Sequence, residues 1–296
     1  MKLFRKIFRK NEQHQAELTT APLSEEQLEP VAHGLQRLAP SQLIAGSAYS
    51  TGKQRDHNED ALFTFSATVA SNTSTTPLGI YIIADGMGGH QHGEVASETA
   101  IRAMSSHLMR KIYSPIFGVT REMPEESLQE ILTEGVYQAH QAVIKKAPGG
   151  GTTLTAVVIL GNRMTIAHVG DSRAYAVYLD GRMQIITRDH SLVKRLEELG
   201  QITPEEAEIH PQRNVLYRAL GQGEPFEPDV STAPLPQPGY LLLCSDGLWG
   251  VVPDAEMFRI IAAAPSPHRA CQNLIDAANL AGGPDNITAI LVRMPD

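Results

Sequence analysis

Short apolar runs that end on, or begin from, a carboxylate recur along this chain. Asp85 follows "YIIA", Asp171 follows "TIAHVG", Asp246 follows "YLLLCS", Asp285 precedes "ITAILV" in "GGPDN", and Glu59 and Asp60 stand just ahead of "ALFTF". One aspartate beside a turn is ordinary, because its side chain bonds the nearby backbone. Five such places restrict the fold far more. If these strand ends converge, their carboxylates crowd one site, and unit charges about 4 Å apart repel by roughly 4 kcal/mol at an effective dielectric of about 20. Such a cluster must protonate or hold cations.

The rest of the pattern says what carries those ends. Strand-like runs lie at 61–66, 79–84, 154–160, 164–169, 173–179, 183–187, 240–244 and 287–293, several of them separated by turn signals such as "GNR" and "LDGR". "MTIAHVGDSRAYAVYLDGRMQIIT" reads as an antiparallel meander. Ile101, Met104, Leu108 and Ile112 mark one helix; Leu128, Ile131, Leu132, Val136, Ala139 and Val143 mark another, and two more lie near 254–263 and 267–281. Strands cluster with strands and helices with helices, so the class is α+β with antiparallel sheets rather than a parallel βαβ fold. Residues 190–224 form a charged insert, expected to be mainly helical, in which Thr203 caps a helix opened by Pro204 and two acids. It reads either as a lid or docking flap or as a solvated helical hairpin.

Composition removes several functions. At 296 residues with 42% hydrophobic content the chain can bury a sizeable core. A net charge of −8 argues against a general nucleic-acid binder. With two cysteines, Cys244 and Cys271, there is neither a disulfide framework nor a thiolate zinc cluster, and a cytoplasmic compartment is expected. Cys244 lies in an apolar strand and reads as core packing. No apolar run approaches the roughly 18 residues needed to span a bilayer, and no signal-peptide core is seen. The first ten residues, "MKLFRKIFRK", would place Leu3, Phe4, Ile7 and Phe8 opposite a basic helical face. That suits weak contact with an anionic membrane surface; the alternative is a frayed, soluble tail. Residues 11–40 are polar and acidic with Pro22, Pro30 and Pro40, and read as a tether. The expected division is 1–40 as tail and linker and 41–296 as the folded domain that carries the acids.

Oxygen ligands without thiolates or paired histidines select hard ions, and no EF-hand loop is present. A magnesium or manganese pair bridged by one aspartate suits hydrolysis of a phosphate ester. Gly86 would then turn its carbonyl towards an ion through dihedrals open to glycine. Met87, Gly88 and Gly89 would carry the chain into a helix beginning near Glu94. Neither phosphate-cradling glycine motif occurs. Arg55, close in sequence to Asp60, offers a planar fork of donors for phosphate oxygens.

Six ordered segments, "GKQRDHNEDA", "YIIADGMGGH", "GTTLTAVVI", "AHVGDSRAY", "LLLCSDGLWG" and "GGPDNITAILV", resemble the metal-dependent serine/threonine protein phosphatases, the type 2C or PPM family, from about Leu43 to Arg293. The insert looks like the flap of the bacterial branch. The resemblance implies a four-layer αββα sandwich with a dimetal centre of Mn2+ or Mg2+ in the cleft between two antiparallel sheets. It implies that Asp85 bridges the ions, that the Gly86 carbonyl binds one, and that Asp246 and Asp285 bind the other. Asp60 would act through metal-bound water, Glu59 as an outer-shell acceptor, and Asp171 with Asp246 at a weaker third ion. Arg55 matches the phosphate-binding arginine. The nucleophile implied is a water or hydroxide bridging the pair, with no phosphoenzyme.

Two positions depart from the family pattern. Met87 stands where many eukaryotic members have a histidine acid, which leaves a third-ion water, His57 or His90 as the proton donor. Ser50 and Thr51 replace an acid often found before the first glycine. The expected function is hydrolysis of phosphoserine and phosphothreonine in proteins by a monomer, opposing a bacterial Ser/Thr kinase, with no nucleic-acid partner. The alternatives are a same-fold phosphatase of the regulatory anti-anti-sigma type and a non-catalytic phosphoprotein-binding scaffold. A haloacid dehalogenase-type enzyme would need a D-x-D motif, which the chain lacks.

Overall fold

A computed structural model describes residues 42–70, 75–88, 91–118, 125–223 and 226–295. The amphipathic tail and linker, 1–40, and His90 lie outside them. One sheet runs in the order β1 (Ile44–Ser50), β11 (Ile287–Arg293), β10 (Gly239–Cys244), β7 (Arg173–Tyr178) and β8 (Met183–Ile185). The other runs β2 (Asp60–Ala70), β3 (Thr75–Met87), β5 (Leu154–Leu160), β6 (Arg163–Val169) and β9 (Asp229–Pro234), with the short β4 (Gly151–Thr152) paired to the end of β3. Each of these pairings is antiparallel.

The central strands are apolar throughout because both of their faces are covered, and the period of two sorts the side chains into layers. On β3, Leu78, Ile80 and Ile82 pack under α1 (Gln91–Leu108) and α3 (Leu128–Lys146), while Tyr81 and Ile83 point to the opposite sheet. On β10, Leu242 and Cys244 pack with α7 (Asp254–Ala263) and α8 (Pro267–Leu280), while Leu241 and Leu243 face between the sheets. The outcome is the helix–sheet–sheet–helix sandwich expected from the resemblance. A π-helical turn, Met109–Tyr113, continues α1 and leads into α2 (Ser114–Phe117). Ser127 and Glu130 form a reciprocal capping box that starts α3. No helix of the described residues is long and apolar enough to cross a membrane.

Three local expectations change. The stretch 164–187 is not one meander: β6 belongs to one sheet and β7 to the other, and the chain crosses between them at Gly170–Ser172. Gly170 makes the crossing at φ 109°, where a Cβ would also strike Thr153 at 2.5 Å. Among its described residues the insert is less helical than expected, holding only α4 (Leu192–Glu198) and α5 (Pro204–Glu208) among turns. β3 also runs on past Asp85, pairing Gly86 with Thr152 and Met87 with Gly151, and the following helix starts at Gln91 rather than Glu94.

Candidate active site

The period of two that sorts the core also aims the acids. Asp85 shares the face of Tyr81 and Ile83, and Asp60 is its direct partner across the β2–β3 ladder, so both carboxylates emerge at one end of the layer between the sheets. β10 and β11 supply the opposite wall. Ser245, two residues after Leu243, donates its hydroxyl to Asp60 Oδ2 at 2.8 Å, and Thr288 N–H donates to Ser245 Oγ at 2.9 Å. Asp246 opens the one-turn helix α6 (Asp246–Trp249) and lies within hydrogen-bond reach of Asp85. Asp285 enters from the loop before β11, where Arg55 Nη2 donates to its Oδ2 at 2.7 Å. A cavity of about 380 Å3 joins these groups and is lined by Arg55, His57, Glu59, Asp85, Gly86, Asp171, Asp246 and Asp285.

Backbone contacts fix the acids in place. Asp85 N–H donates to Thr153 Oγ1, and its carbonyl accepts from Thr153 N–H and from the Thr152 hydroxyl, each at 2.9 Å. Asn286 works as a four-way clamp. Its Oδ1 accepts from Glu59 N–H, its Nδ2 donates to the carbonyls of Thr51 and His57, and its own N–H donates to Asp285 Oδ1. Gly86 is also required by close packing. Its φ is not positive, but a Cβ there would lie 2.3 Å from Gly93 O and 2.6 Å from Glu59 O, so only glycine fits between the β2 end and α1.

The electrostatics are those of an overfilled carboxylate cluster. Asp60 is pushed up to about 7 by burial, with the Asp246 and Asp285 charges adding and the hydroxyl dipoles of Thr288 and Ser245 opposing. Asp246 is raised to about 6 by burial and then by Asp285. Asp85 and Asp171 stand well above the ordinary carboxylate range, again by burial first and neighbouring aspartates second. Asp60 Oδ1 is buried without a hydrogen-bond partner. Among the described residues no three His, Cys, Asp or Glu side chains are placed to hold one ion by themselves. Magnesium-like ions do not need that, since they keep several waters and take one or two carboxylates. An all-oxygen donor set, raised carboxylates and an orphaned buried oxygen fit hard divalent cations.

Comparison with known proteins decides the family. The protein phosphatase 2C family model matches residues 44–287. The chain belongs to that family. It is a protein serine/threonine phosphatase, a phosphoric monoester hydrolase. Its relatives include the serine/threonine phosphatase Stp of Listeria innocua, 39% identical over 242 residues that cover 82% of this chain and 92% of that one. The serine/threonine phosphatase PstP/Ppp of Mycobacterium tuberculosis has a similar fold, with a TM-score of 0.71 and 32% identity over 86% of this chain and 100% of that one. The catalytic domain of PstP in complex with two manganese ions superposes with a TM-score of 0.69 at 31% identity, covering 86% and 99%.

In this phosphatase the acids and the arginine expected at the site all border the cavity or touch a residue that does. Asp60 reaches it from behind, through the ladder with Asp85 and the Ser245 hydroxyl. His57 lines the cavity with its Nε2 3.0 Å from Glu59 Oε1. Cys244 faces the helix-covered core, its thiol pushed up by burial, in keeping with a packing role. Sequence reasoning missed Thr152, Thr153, Ser245, Asn286 and Trp249, and it missed Asn214 and Leu216 of the flap, which border the same cavity. The quoted "GTT", "SDGLW" and "PDN" segments held most of them, without a signal for what they would touch.

Proposed function

We propose that this phosphatase hydrolyses phosphoserine and phosphothreonine with a pair of divalent cations, manganese or magnesium, held by its strand-end aspartates. Asp85, the Gly86 carbonyl, Asp246 and Asp285 would hold the pair. Asp60 and Glu59 would support them from behind, and Asp171 with Asp246 would take a weaker third ion. The observation that carries this reading is the convergence of Asp60, Asp85 and Asp246 at one end of the intersheet layer. The two manganese ions bound by the PstP catalytic domain support it. When bound, such ions act as Lewis acids on phosphate and bring the pKa of water towards neutrality.

The protein's own groups bind and orient the substrate. Arg55 is half exposed, and its bond to Asp285 is a surface pair of small net worth, so the guanidinium can leave it for two oxygens of a phosphate dianion. His57, held by Glu59, is placed to give a proton to the departing serine or threonine oxygen. Asn214 and Leu216 bring the flap to the rim, where a phosphoprotein would pass.

The catalytic domain is assigned to 41–296. The protein is inferred to act as a monomer in the cytoplasm, opposing a Ser/Thr kinase, with residues 1–10 giving weak contact at the inner membrane face. Purified Asp85→Asn with manganese and a phosphothreonine peptide tests the site. Expected is a loss on the order of a thousandfold, equivalent to several kcal/mol of metal catalysis. A parental rate would sink the assignment. For the tail, co-sedimentation with anionic vesicles should fall when residues 1–10 are removed; equal sedimentation removes the membrane contact.

A further inference from the structure

We propose that Trp249 is a positioning residue that latches the Asp171 turn to the helix carrying Asp246. The proposal rests on the metal-holding role inferred above for these two aspartates. Both face the same cavity, and the β7–β10 ladder stops just short of them: its last rung pairs Arg173 with Cys244, each two residues from its aspartate. Beyond that rung no ladder bond holds the two like charges at their spacing, so they need a tie that opposes their repulsion.

The tie is visible. Trp249, the last residue of α6, donates its indole Nε1–H to the backbone carbonyl of Asp171 at 3.0 Å. The indole is itself fixed, because the Arg173 guanidinium lies over its ring, 3.5 Å from the centroid. Arg173 is held flat by a forked contact to Asp189, with Nε 3.1 Å from Oδ1 and Nη2 2.7 Å from Oδ2. On the other side of the crossing, His190 at the base of the flap grips Gly170. The His190 N–H donates to the Gly170 carbonyl at 2.7 Å, and its Nδ1 accepts from Gly170 N–H at 3.1 Å. The flap base therefore sets where the turn begins, and Trp249 sets how close Asp171 stands to Asp246. A phenylalanine at 249 keeps a flat ring under Arg173 and removes the donor alone.

The test uses the full chain, freed of metal with a chelator and titrated with Mn2+, with free Mn2+ read by electron paramagnetic resonance. The parent should bind two ions tightly and a third more weakly. Trp249→Phe should keep the two tight ions and weaken the third by about three- to tenfold, the range for one lost neutral hydrogen bond. A merely structural role would lower the melting temperature without singling out the third ion. Unchanged third-ion affinity in Trp249→Phe overturns the latch. Asp171→Asn should abolish the third ion; if it leaves the titration unaltered, the metal role of Asp171 fails and the latch fails with it. Trp249 is the chain's single tryptophan, so its indole N–H gives one resonance in the parent. Solvent exchange of that proton should slow as Mg2+ fills the weakest site, because a tie that favours the ion is favoured by it in turn. Exchange indifferent to Mg2+ overturns the proposal whether or not the variant folds.

Discussion

The layer between the two sheets has two ends, and the same strands build both. Along β3, Tyr81 and Ile83 lie buried before Asp85; along β10, Leu241 and Leu243 lead to Ser245 and Asp246; along β11, Val292 and Ile290 lead back to Thr288. One end is aliphatic and aromatic, with Val157, Ile159 and Met164 filling the space. At the other end, two residues further along each strand, carboxylates and hydroxyls take the same positions. The difference teaches how a charge cluster is kept. The apolar end packs the two sheets together, and the same strands carry the acids to one place at the other end.

The largest way to break this comparison is at the apolar end. Ile159→Ala empties a buried position remote from the acids and should lower unfolding stability by about 2–5 kcal/mol. Urea denaturation measures the loss, and kcat per folded molecule should stay at the parental value. A fall in kcat at full folding would show that the two ends are not separable.

A smaller effect sharpens the contrast at the acid end. Carboxylates raised in the folded state hold protons that the unfolded chain has released, so stability falls as pH rises towards their folded values. Asp60 at about 7, with Asp85 and Asp171 raised well above the ordinary range, makes the metal-free protein less stable at pH 8 than at pH 6.5. Below about pH 6.5 two buried histidines oppose the trend. Burial lowers His168 to about 4 and His190 below its ordinary value, so the unfolded chain takes protons there that the folded one refuses. Melting curves in chelator should therefore rise from pH 8 to 6.5 and flatten below it, and added Mn2+ should raise the melting temperature most at pH 8. Asp85→Asn removes one of the raised acids and should melt above its metal-free parent at pH 8, by roughly 2–4 °C per kcal/mol of relieved destabilisation. A melting temperature that climbs steadily with pH would contradict the direction assigned to these groups.

How much of this was legible varied with local pattern. The six central strands stand out in the sequence because burial on both faces makes them continuous apolar runs. β1, "IAGSAYS", and β9, "DVSTAP", lie at sheet edges, where small and polar residues suffice, and they left no comparable run. The meander expected over 164–187 breaks at Gly170–Ser172, where nothing local tells a turn within a sheet from a crossing between sheets. The acids were legible by recurrence, since one aspartate at a strand end is ordinary and five such places in one chain are not. Their supports were not: serine, threonine and asparagine occur throughout the chain, and Ser245 meets Asp60 across a sequence separation of 185 residues.

The pairing of β11 between β1 and β10 sets an order in time. β11 fills the central gap of its sheet, and the loop before it brings Asp285 and the Asn286 clamp. A chain still emerging from the ribosome has neither the closed sheet nor the whole cluster until its residues near 293 are made. The last acid of the cluster, Asp285, is thus made together with the last strand of its sheet.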